Sequence, residues 1–147
     1  MIYTDSAKYA LRAVTHIAGH DDPQAPVSAT EIAGAEGIPP YYMAKVLQDL
    51  ARAKVLKSVR GRGGGFRLAQ PANKTHVLDV IAAVEDIGRI TKECVLGLDE
   101  CNDTVSCPMH DTWKRFRESL LKRLGRMTVA DLAKEMKRKR RGLAAAL

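Results

Sequence analysis

Apolar residues recur at intervals of three and four along several stretches of the chain, which is the spacing of one face of an α-helix. The first stretch follows Thr4 or Asp5, either of which can cap a helix, and it ends at a loop rich in Gly, Asp and Pro at 19–26. Its apolar positions are Ala7, Ala10, Leu11, Val14 and Ile17. The pattern predicts an amphipathic helix at the start of the chain.

Two further helices are predicted directly after this loop. The first is short: Ser28 and Glu31 have the spacing of a capping box, and Gly37 suits a left-handed C-cap. The second opens at Pro40, and its apolar face carries Met43, Val46, Leu47 and Leu50. Its opposite face carries Tyr41, Lys45, Gln48, Asp49 and Arg52. Two helices joined by so few residues are typical of a helix-turn-helix, although an ordinary helical hairpin has the same pattern.

The segment after these helices predicts a β-hairpin. Residues 55–59 (VLKSV) form a short strand, RGRGGG turns the chain, and residues 66–68 return. No lysine followed by Ser or Thr comes after the glycines, so this is not a Walker phosphate loop. Arg60, Arg62 and Arg67 place cations on the hairpin, and such a tip fits the narrow minor groove of DNA. A hairpin directly after the helix pair indicates a winged helix-turn-helix rather than a flexible hairpin with solvated arginines.

The remaining sequence predicts helices around a cysteine-rich loop. Residues 75–87 form a fourth helix and 89–110 the loop, after which a long helix carries the apolar stripe Trp113, Phe116, Leu120, Leu121 and Leu124. A last helix begins near Thr128 or Asp131. The expected fold is mainly α with a small β-hairpin. It consists of a winged helix-turn-helix domain over 1–87, a cysteine-rich loop over 88–110, and a dimerisation helix with a basic tail over 111–147.

The formal net charge of +7 suggests a polyanionic partner, but its distribution weakens that argument. Residues 134–142 carry six basic residues and one acid, a net charge of +5, so a solvated C-terminal arm accounts for most of the excess. No apolar run approaches the length that spans a bilayer, and the N-terminus lacks the pattern of a secretory signal. The sequence therefore predicts a cytoplasmic protein with no membrane partner, in a compartment where thiols stay reduced.

All three cysteines fall between residues 94 and 110. Cys94, Cys101, Cys107 and His110 are separated by six, five and two residues. Structural zinc sites usually begin with a closer pair of ligands, whereas iron–sulfur clusters accept longer spacings. Three thiols leave a fourth ligand position, for which His110 is the local candidate. A thiol redox switch at the same cysteines is the alternative.

The order of these motifs resembles the winged-helix regulators of the IscR and NsrR type. The resemblance rests on KYALRAV, SATEIA, the YY pair, SVRGRGGGFRLAQP, VLDVIAAVED and CPMHDTW, and it extends from Thr4 to about Leu132. It implies a homodimer in which the long helix crosses its twin. It also implies a cluster, [2Fe–2S] in preference to [4Fe–4S], whose state sets operator affinity. Carried over by position, the ligands are Cys94, Cys101, Cys107 and His110.

The resemblance also implies how DNA is read. The helix-turn-helix enters the major groove through Tyr41, Ala44 and Lys45, with Ser28 and Gln48 beside them, and Arg60 and Arg62 enter the minor groove. Tyr42 is expected to pack rather than read.

The sequence departs from the family pattern at three places. Ala44 stands where IscR-type members carry an acid, which implies a different operator. The gap after Cys94 is one residue longer than the commonest pattern. Lys8 stands where NsrR-type members supply an aspartate ligand, which argues against that type of ligation.

The sequence thus predicts a regulator that binds a double-stranded DNA operator under the control of an iron–sulfur cluster. A thiol-sensing regulator without a cluster, and a small iron–sulfur carrier protein, are the alternatives. An enzyme is not expected, because the sequence contains neither a nucleophile–base constellation nor a nucleotide-binding loop.

Overall fold

A computed structural model describes residues 3–146 of the chain, which form seven α-helices, one two-stranded sheet and one turn of 3-10 helix. The helices are α1 (Asp5–Ala18), α2 (Ala29–Glu36), α3 (Pro40–Arg52), α4 (Val77–Ala82), α5 (Ile87–Lys92), α6 (His110–Arg126) and α7 (Val129–Ala145). The strands are β1 (Leu56–Val59) and β2 (Gly65–Leu68), and the 3-10 turn is Ala72–Lys74. The predicted fold class, mainly α with a small hairpin, is confirmed.

The caps predicted at the first two helices are present, with one difference. The Thr4 hydroxyl accepts the N–H of Ala7, and the Ser28 hydroxyl accepts the N–H of Glu31 at 3.1 Å. The Glu31 carboxylate does not complete a capping box; one of its oxygens lies 3.8 Å from Nε2 of His16. Gly37 ends α2 in the left-handed conformation with φ of 62°, as predicted.

The β-hairpin is joined to the start of α2 by backbone hydrogen bonds. Val27 and Phe66 exchange two bonds, of 2.9 and 2.8 Å, so the segment before α2 pairs with β2 at the base of the wing. Gly65, at φ of 153°, makes this approach possible: a Cβ atom there would lie 2.3 Å from the carbonyl oxygen of Val27. Only glycine fits this position, and the wing is thereby fixed against the helix-turn-helix.

The main core joins α1, α2, α3, the base of the wing, α4 and the start of α7. All four apolar positions predicted on the third helix are buried, and Val129 of α7 is fully buried in the same cluster. Each large aliphatic side chain buried in this way contributes about 1.5–3 kcal/mol. A second, smaller cluster consists of Ala7, Val77, Ile81 and Leu124. It packs the first half of the chain against α6.

The helix predicted over 75–87 is instead two short helices. α4 ends at Ala82, and Asp86 starts α5 by accepting the N–H of Gly88 at 2.7 Å. A carboxylate that caps a new helix competes with continuation of the old one, which explains the break. α5 therefore occupies the first residues of the segment predicted to be loop.

The C-terminal segment is helical. Thr128 and Asp131 form a capping box at the start of α7, and the basic residues at 134–142 belong to this helix. The basic side chains of this segment are exposed, as a solvated C-terminal segment requires, and the segment is helical rather than irregular. Within residues 3–146, no helix has the length and apolar character needed to cross a membrane.

Candidate nucleic-acid interface and cysteine site

The side of α3 that faces away from the core presents the side chains predicted to read DNA. Tyr41 is 78% exposed, and Lys45 and Gln48 are also exposed, whereas Met43 and Val46 on the opposite side are buried. Within residues 3–146, Lys45 and Gln48 make no side-chain hydrogen bond or ion pair. Their amine and amide groups are therefore free to bind a ligand.

Tyr42 was predicted to pack against the protein rather than to contact DNA, and the structure does not bear this out. Its side chain is 56% exposed, and its ring meets that of Tyr41 edge-on, with centroids 5.9 Å apart. Two exposed aromatic rings at the start of a helix combine apolar area with hydroxyl donors, which suits contact with base edges or phosphates.

Ser28 lies between α2 and the wing. Its hydroxyl oxygen accepts the cap bond from Glu31, which leaves the hydroxyl hydrogen free to donate. Val27 beside it is bonded to Phe66 of β2. Ser28 is thus held at a fixed position at the N-terminus of α2, as a phosphate contact requires.

The arginines of the wing differ in their surroundings. Arg60 and Arg62 are exposed on the turn between the strands, and neither forms an ion pair within the described residues. Arg67 pairs with Lys57 across the sheet, and its guanidinium donates to Oε1 of Gln24 at 2.5 Å. Two of the three predicted cations therefore lie at the tip, and the third braces the base of the wing.

The four predicted ligand residues form two close pairs. The Sγ atoms of Cys94 and Cys107 are 3.6 Å apart, and Sγ of Cys101 is 3.2 Å from Nδ1 of His110. His110 is the first residue of α6 and is only 5% exposed. The four residues are brought together by a turn over 94–99 and by the start of α6.

The segment between the first two cysteines is a small hairpin. Glu93 and Glu100 form an isolated antiparallel bridge, and the N–H of Cys101 donates to the carbonyl of Lys92 at 2.7 Å. Gly97 and Asp99 adopt positive φ angles of 71° and 43°. These two residues accommodate the long gap after Cys94.

The distances within the two pairs fit ligands that share a tetrahedral metal. Metal–sulfur bonds of about 2.3 Å hold two thiolates about 3.8 Å apart, and a thiolate and an imidazole nitrogen about 3.5 Å apart. Within residues 3–146, no three His, Cys, Asp or Glu side chains converge tightly enough to enclose one metal ion.

His110 is held by a carboxylate on its other side. Nε2 of His110 lies 2.7 Å from Oδ1 of Asp103, and Nζ of Lys114 lies 2.8 and 2.9 Å from the two oxygens of Asp103. The hydrogen bond from Lys114, followed by that from His110, lowers the pKa of Asp103, so this carboxylate is charged at neutral pH. A charged acceptor at Nε2 favours the tautomer with its proton there, which leaves Nδ1 a lone pair directed at Cys101.

The thiols of the first pair differ in acidity. A backbone hydrogen bond from Leu96, followed by one from Leu98, lowers the pKa of Cys94 against the opposing effect of burial. Burial, followed by the neighbouring Cys94, raises the pKa of Cys107. Cys94 is therefore the thiol of this pair that deprotonates first.

The sequence and fold match one family of regulators over nearly the whole chain. The profile of the Rrf2 family, described as iron-dependent transcriptional regulators, matches residues 3–135. The chain belongs to the Rrf2 family. It is 31% identical over 135 residues to the HTH-type transcriptional regulator IscR of Vibrio campbellii, covering 92% of this chain and 79% of that protein.

Solved structures support the same assignment. IscR of T. potens superposes with a TM-score of 0.71 at 25% identity, covering 90% of this chain and 86% of that chain. CymR, the global cysteine regulator of B. subtilis, superposes with a TM-score of 0.74 at 24% identity, covering 90% and 95%. At that identity the likeness to CymR shows the fold alone. This Rrf2 protein is a DNA-binding transcription regulator with a winged helix, and it is not an enzyme.

Three residues of the cysteine site in this Rrf2 protein were not found from the sequence. Asp103 and Lys114 were missed because their pairing depends on how the loop folds back onto α6. Trp113 was assigned to an apolar stripe, yet its indole N–H also donates to the carbonyl of Glu93 at 3.1 Å, which ties α6 to the loop. A signal was available for Lys114, since it lies one helical turn from His110.

Lys8, one of the departures from the family pattern expected from the sequence, forms an ion pair in the structure. Nζ of Lys8 lies 2.7 Å from Oδ1 of Asp5. Asp5 and Cys94 border the same open cleft of about 660 Å³ between α1 and α6, but Asp5 makes no hydrogen bond to a cysteine within the described residues. The ion pair with Lys8 is the contact that the structure gives to the Asp5 carboxylate.

Proposed function

We propose that this Rrf2 protein is a cytoplasmic homodimer that binds a double-stranded DNA operator with an affinity controlled by a [2Fe–2S] cluster. The ligands are Cys94, Cys101, Cys107 and His110. The observation that carries this proposal is the arrangement of these residues in two pairs, 3.6 Å and 3.2 Å apart. A [2Fe–2S] cluster needs two protein ligands for each iron, so one pair would serve each iron.

The surroundings of the site support histidine as a ligand. The buried ring of His110 is oriented by Asp103, and such a carboxylate beside a metal-binding imidazole fixes its orientation and raises its basicity. Imidazole ligation raises the reduction potential of an iron–sulfur cluster relative to four thiolates. When bound, the cluster supplies a redox-active centre. Cys94, Cys101, Cys107 and His110 would hold it, and His110 would join it to α6.

The DNA contacts are proposed on three elements: α3, the N-terminus of α2 and the tip of the wing. Tyr41, Lys45 and Gln48 on α3 enter the major groove with Ser28 on the adjacent phosphate, and Arg60 and Arg62 enter the minor groove. The exposure of the α3 side chains and of the two arginines at the wing tip supports this assignment. If about six phosphates are neutralised, log affinity falls with log salt at a slope of about −5.

The exposed Phe116 and the half-buried Trp113 of α6 support the homodimer. Phe116 is 44% exposed, and its ring stacks on that of Trp113 with centroids 5.7 Å apart. An apolar pair on the surface of a long helix fits contact with the same helix of a second copy, related by two-fold symmetry. Dimeric readers match operators with two half-sites.

A thiol switch is the second candidate, and the Cys94–Cys107 pair favours it. Their sulfurs are 3.6 Å apart, close enough to form a disulfide after a small movement, and the pKa of Cys94 is lowered by the backbone hydrogen bond from Leu96. In this case a peroxide would oxidise the Cys94 thiolate to a sulfenic acid and would itself be reduced to water or an alcohol. The Cys107 thiol would then attack the Cys94 sulfur, form the disulfide and release the sulfenic hydroxyl group as water.

Anaerobic purification separates the two candidates. The cluster proposal expects a coloured protein with iron and acid-labile sulfide in the proportion of a [2Fe–2S] group. Cys101→Ser and His110→Ala should lose or alter its spectrum. Operator affinity is measured on a duplex that the wild-type protein selects from a random-sequence pool, with cluster-loaded and cluster-free protein. A colourless protein whose affinity changes only on oxidation of Cys94 and Cys107 would establish the thiol switch instead, and Cys101→Ser would then have no effect.

A further inference from the structure

The end of α2 carries a buried carboxylate that faces two arginines and a histidine from α1 and α7. The side chain of Glu36 is 1% exposed, and Arg12 of α1 donates to it at 3.0 Å and also to its backbone carbonyl. Nδ1 of His16 lies 3.5 Å away. Arg140 of α7 binds both carboxylate oxygens, at 3.1 and 2.6 Å. Burial raises the pKa of Glu36, but the bonds from Arg140 and Arg12 outweigh it and hold the pKa below its usual value.

Glu36 lies at the turn between the two helices of the helix-turn-helix, so a contact to its side chain can fix the position of that turn. It is the last residue of α2, Gly37 turns the chain in the left-handed conformation, and α3 begins at Pro40. A paired guanidinium and carboxylate form two parallel bonds of defined direction, which orient as well as attract. Whatever holds Glu36 therefore holds the turn that sets the angle of α3.

Arg140 belongs to the segment whose charge would otherwise suggest a DNA-binding arm. α7 is fixed near its start by buried Val129 and about 16 Å further on by Arg140. Only Met127 and Thr128 separate α7 from α6, which begins at the cysteine site. Arg140 lies beyond the residues 3–135 matched by the Rrf2 profile.

We infer that Arg140 is a positioning residue for DNA recognition: by binding Glu36 it fixes the turn of the helix-turn-helix against α7. The C-terminal helix then supports operator affinity through the angle of α3 and not through contact with phosphate. The inference rests on the DNA-binding role of the winged helix and is independent of the cluster.

The test compares Arg140→Ala with Arg140→Lys, Glu36→Gln and the double variant Glu36→Gln/Arg140→Ala, on the selected duplex at several salt concentrations. Arg141→Ala is the matched control, because Arg141 is an exposed neighbour with no bond to another side chain within residues 3–146. Binding is measured at a temperature at which circular dichroism shows every variant to be folded.

The expected result for Arg140→Ala is a loss of affinity of about 2- to 30-fold with an unchanged salt slope. Arg140→Lys should recover part of the loss, and the double variant should bind no more weakly than the poorer single variant, since both remove the same contact. A residue that contacted phosphate would instead reduce the salt slope by about 1. That outcome, or unchanged affinity in Arg140→Ala, overturns the inference.

Hydrogen exchange of the free protein provides a readout that needs no operator. Arg140→Ala should speed exchange of the hydrogen-bonded backbone amides of Gly37, Ile38 and Met43, while Arg141→Ala should leave them unchanged. Unaltered protection in Arg140→Ala would refute the positioning role even if no duplex were selected. Faster exchange in a protein that binds no DNA would count against the proposed DNA interface, but it would still support the role of the Arg140–Glu36 contact in fixing the turn.

Discussion

Replacing Gly65 with alanine tests how the wing is attached to the helix-turn-helix. The new Cβ atom would lie 2.3 Å from the carbonyl oxygen and 2.8 Å from the backbone nitrogen of the facing residues Val27 and Ser28. The backbone φ of 153° adds strain of about 1–3 kcal/mol for a residue with a side chain. If the strands separate to relieve the contact, the two Val27–Phe66 hydrogen bonds are lost, at about 0.5–1.5 kcal/mol each.

The free energy of unfolding should therefore fall by about 2–6 kcal/mol, a large part of the 5–15 kcal/mol typical of a domain. Urea denaturation followed by circular dichroism at one fixed protein concentration measures this change. Gly34→Ala is the matched control, since its Cβ atom would meet nothing within 4 Å and alanine should stabilise α2 by about 0.5–1 kcal/mol. A loss below about 1 kcal/mol for Gly65→Ala would refute the close approach of wing and helix.

Three further changes test the two functional regions and the ion pair. Arg62→Ala should weaken DNA binding and reduce the salt slope by about 1, and a slope identical to that of the wild type would remove the wing tip from the interface. Asp103→Asn should speed loss of the cluster to a chelator by about 10- to 100-fold, because the carboxylate orients His110, whereas Asp99→Asn in the same loop should not. Since the pKa of Glu36 is lowered, its charged form stabilises the fold above the unfolded pKa of about 4.3, and this contribution is lost as pH falls through the folded pKa. Glu36→Gln should therefore lower the unfolding free energy at pH 7, and the unfolding free energy of the variant should decline less on acidification than that of the wild type. Denaturant titrations that show the same decline in both proteins would contradict this.

Local sequence signals were sufficient for much of the fold. The caps at Thr4, Ser28 and Gly37 were predicted because a capping contact joins residues only a few positions apart. The apolar spacing on α3 similarly identified its buried face, because the helical period depends on the backbone alone. Where two local signals competed, the prediction failed: the apolar run from 75 to 87 indicated one helix, yet Asp86 capped a second.

The order of motifs along the sequence was enough to identify the winged helix, the cysteine-rich loop and the family to which both belong. Only the tertiary structure decided which cysteine lies beside Cys107, that Asp103 holds His110, and that Arg140 binds Glu36 across 104 positions of sequence. Spacing along the chain limits a contact only when the backbone between its partners is regular. The loop at 93–109 is irregular, and the partners of Glu36 lie on separate helices, so these contacts were decided by the packing of α1, α6 and α7.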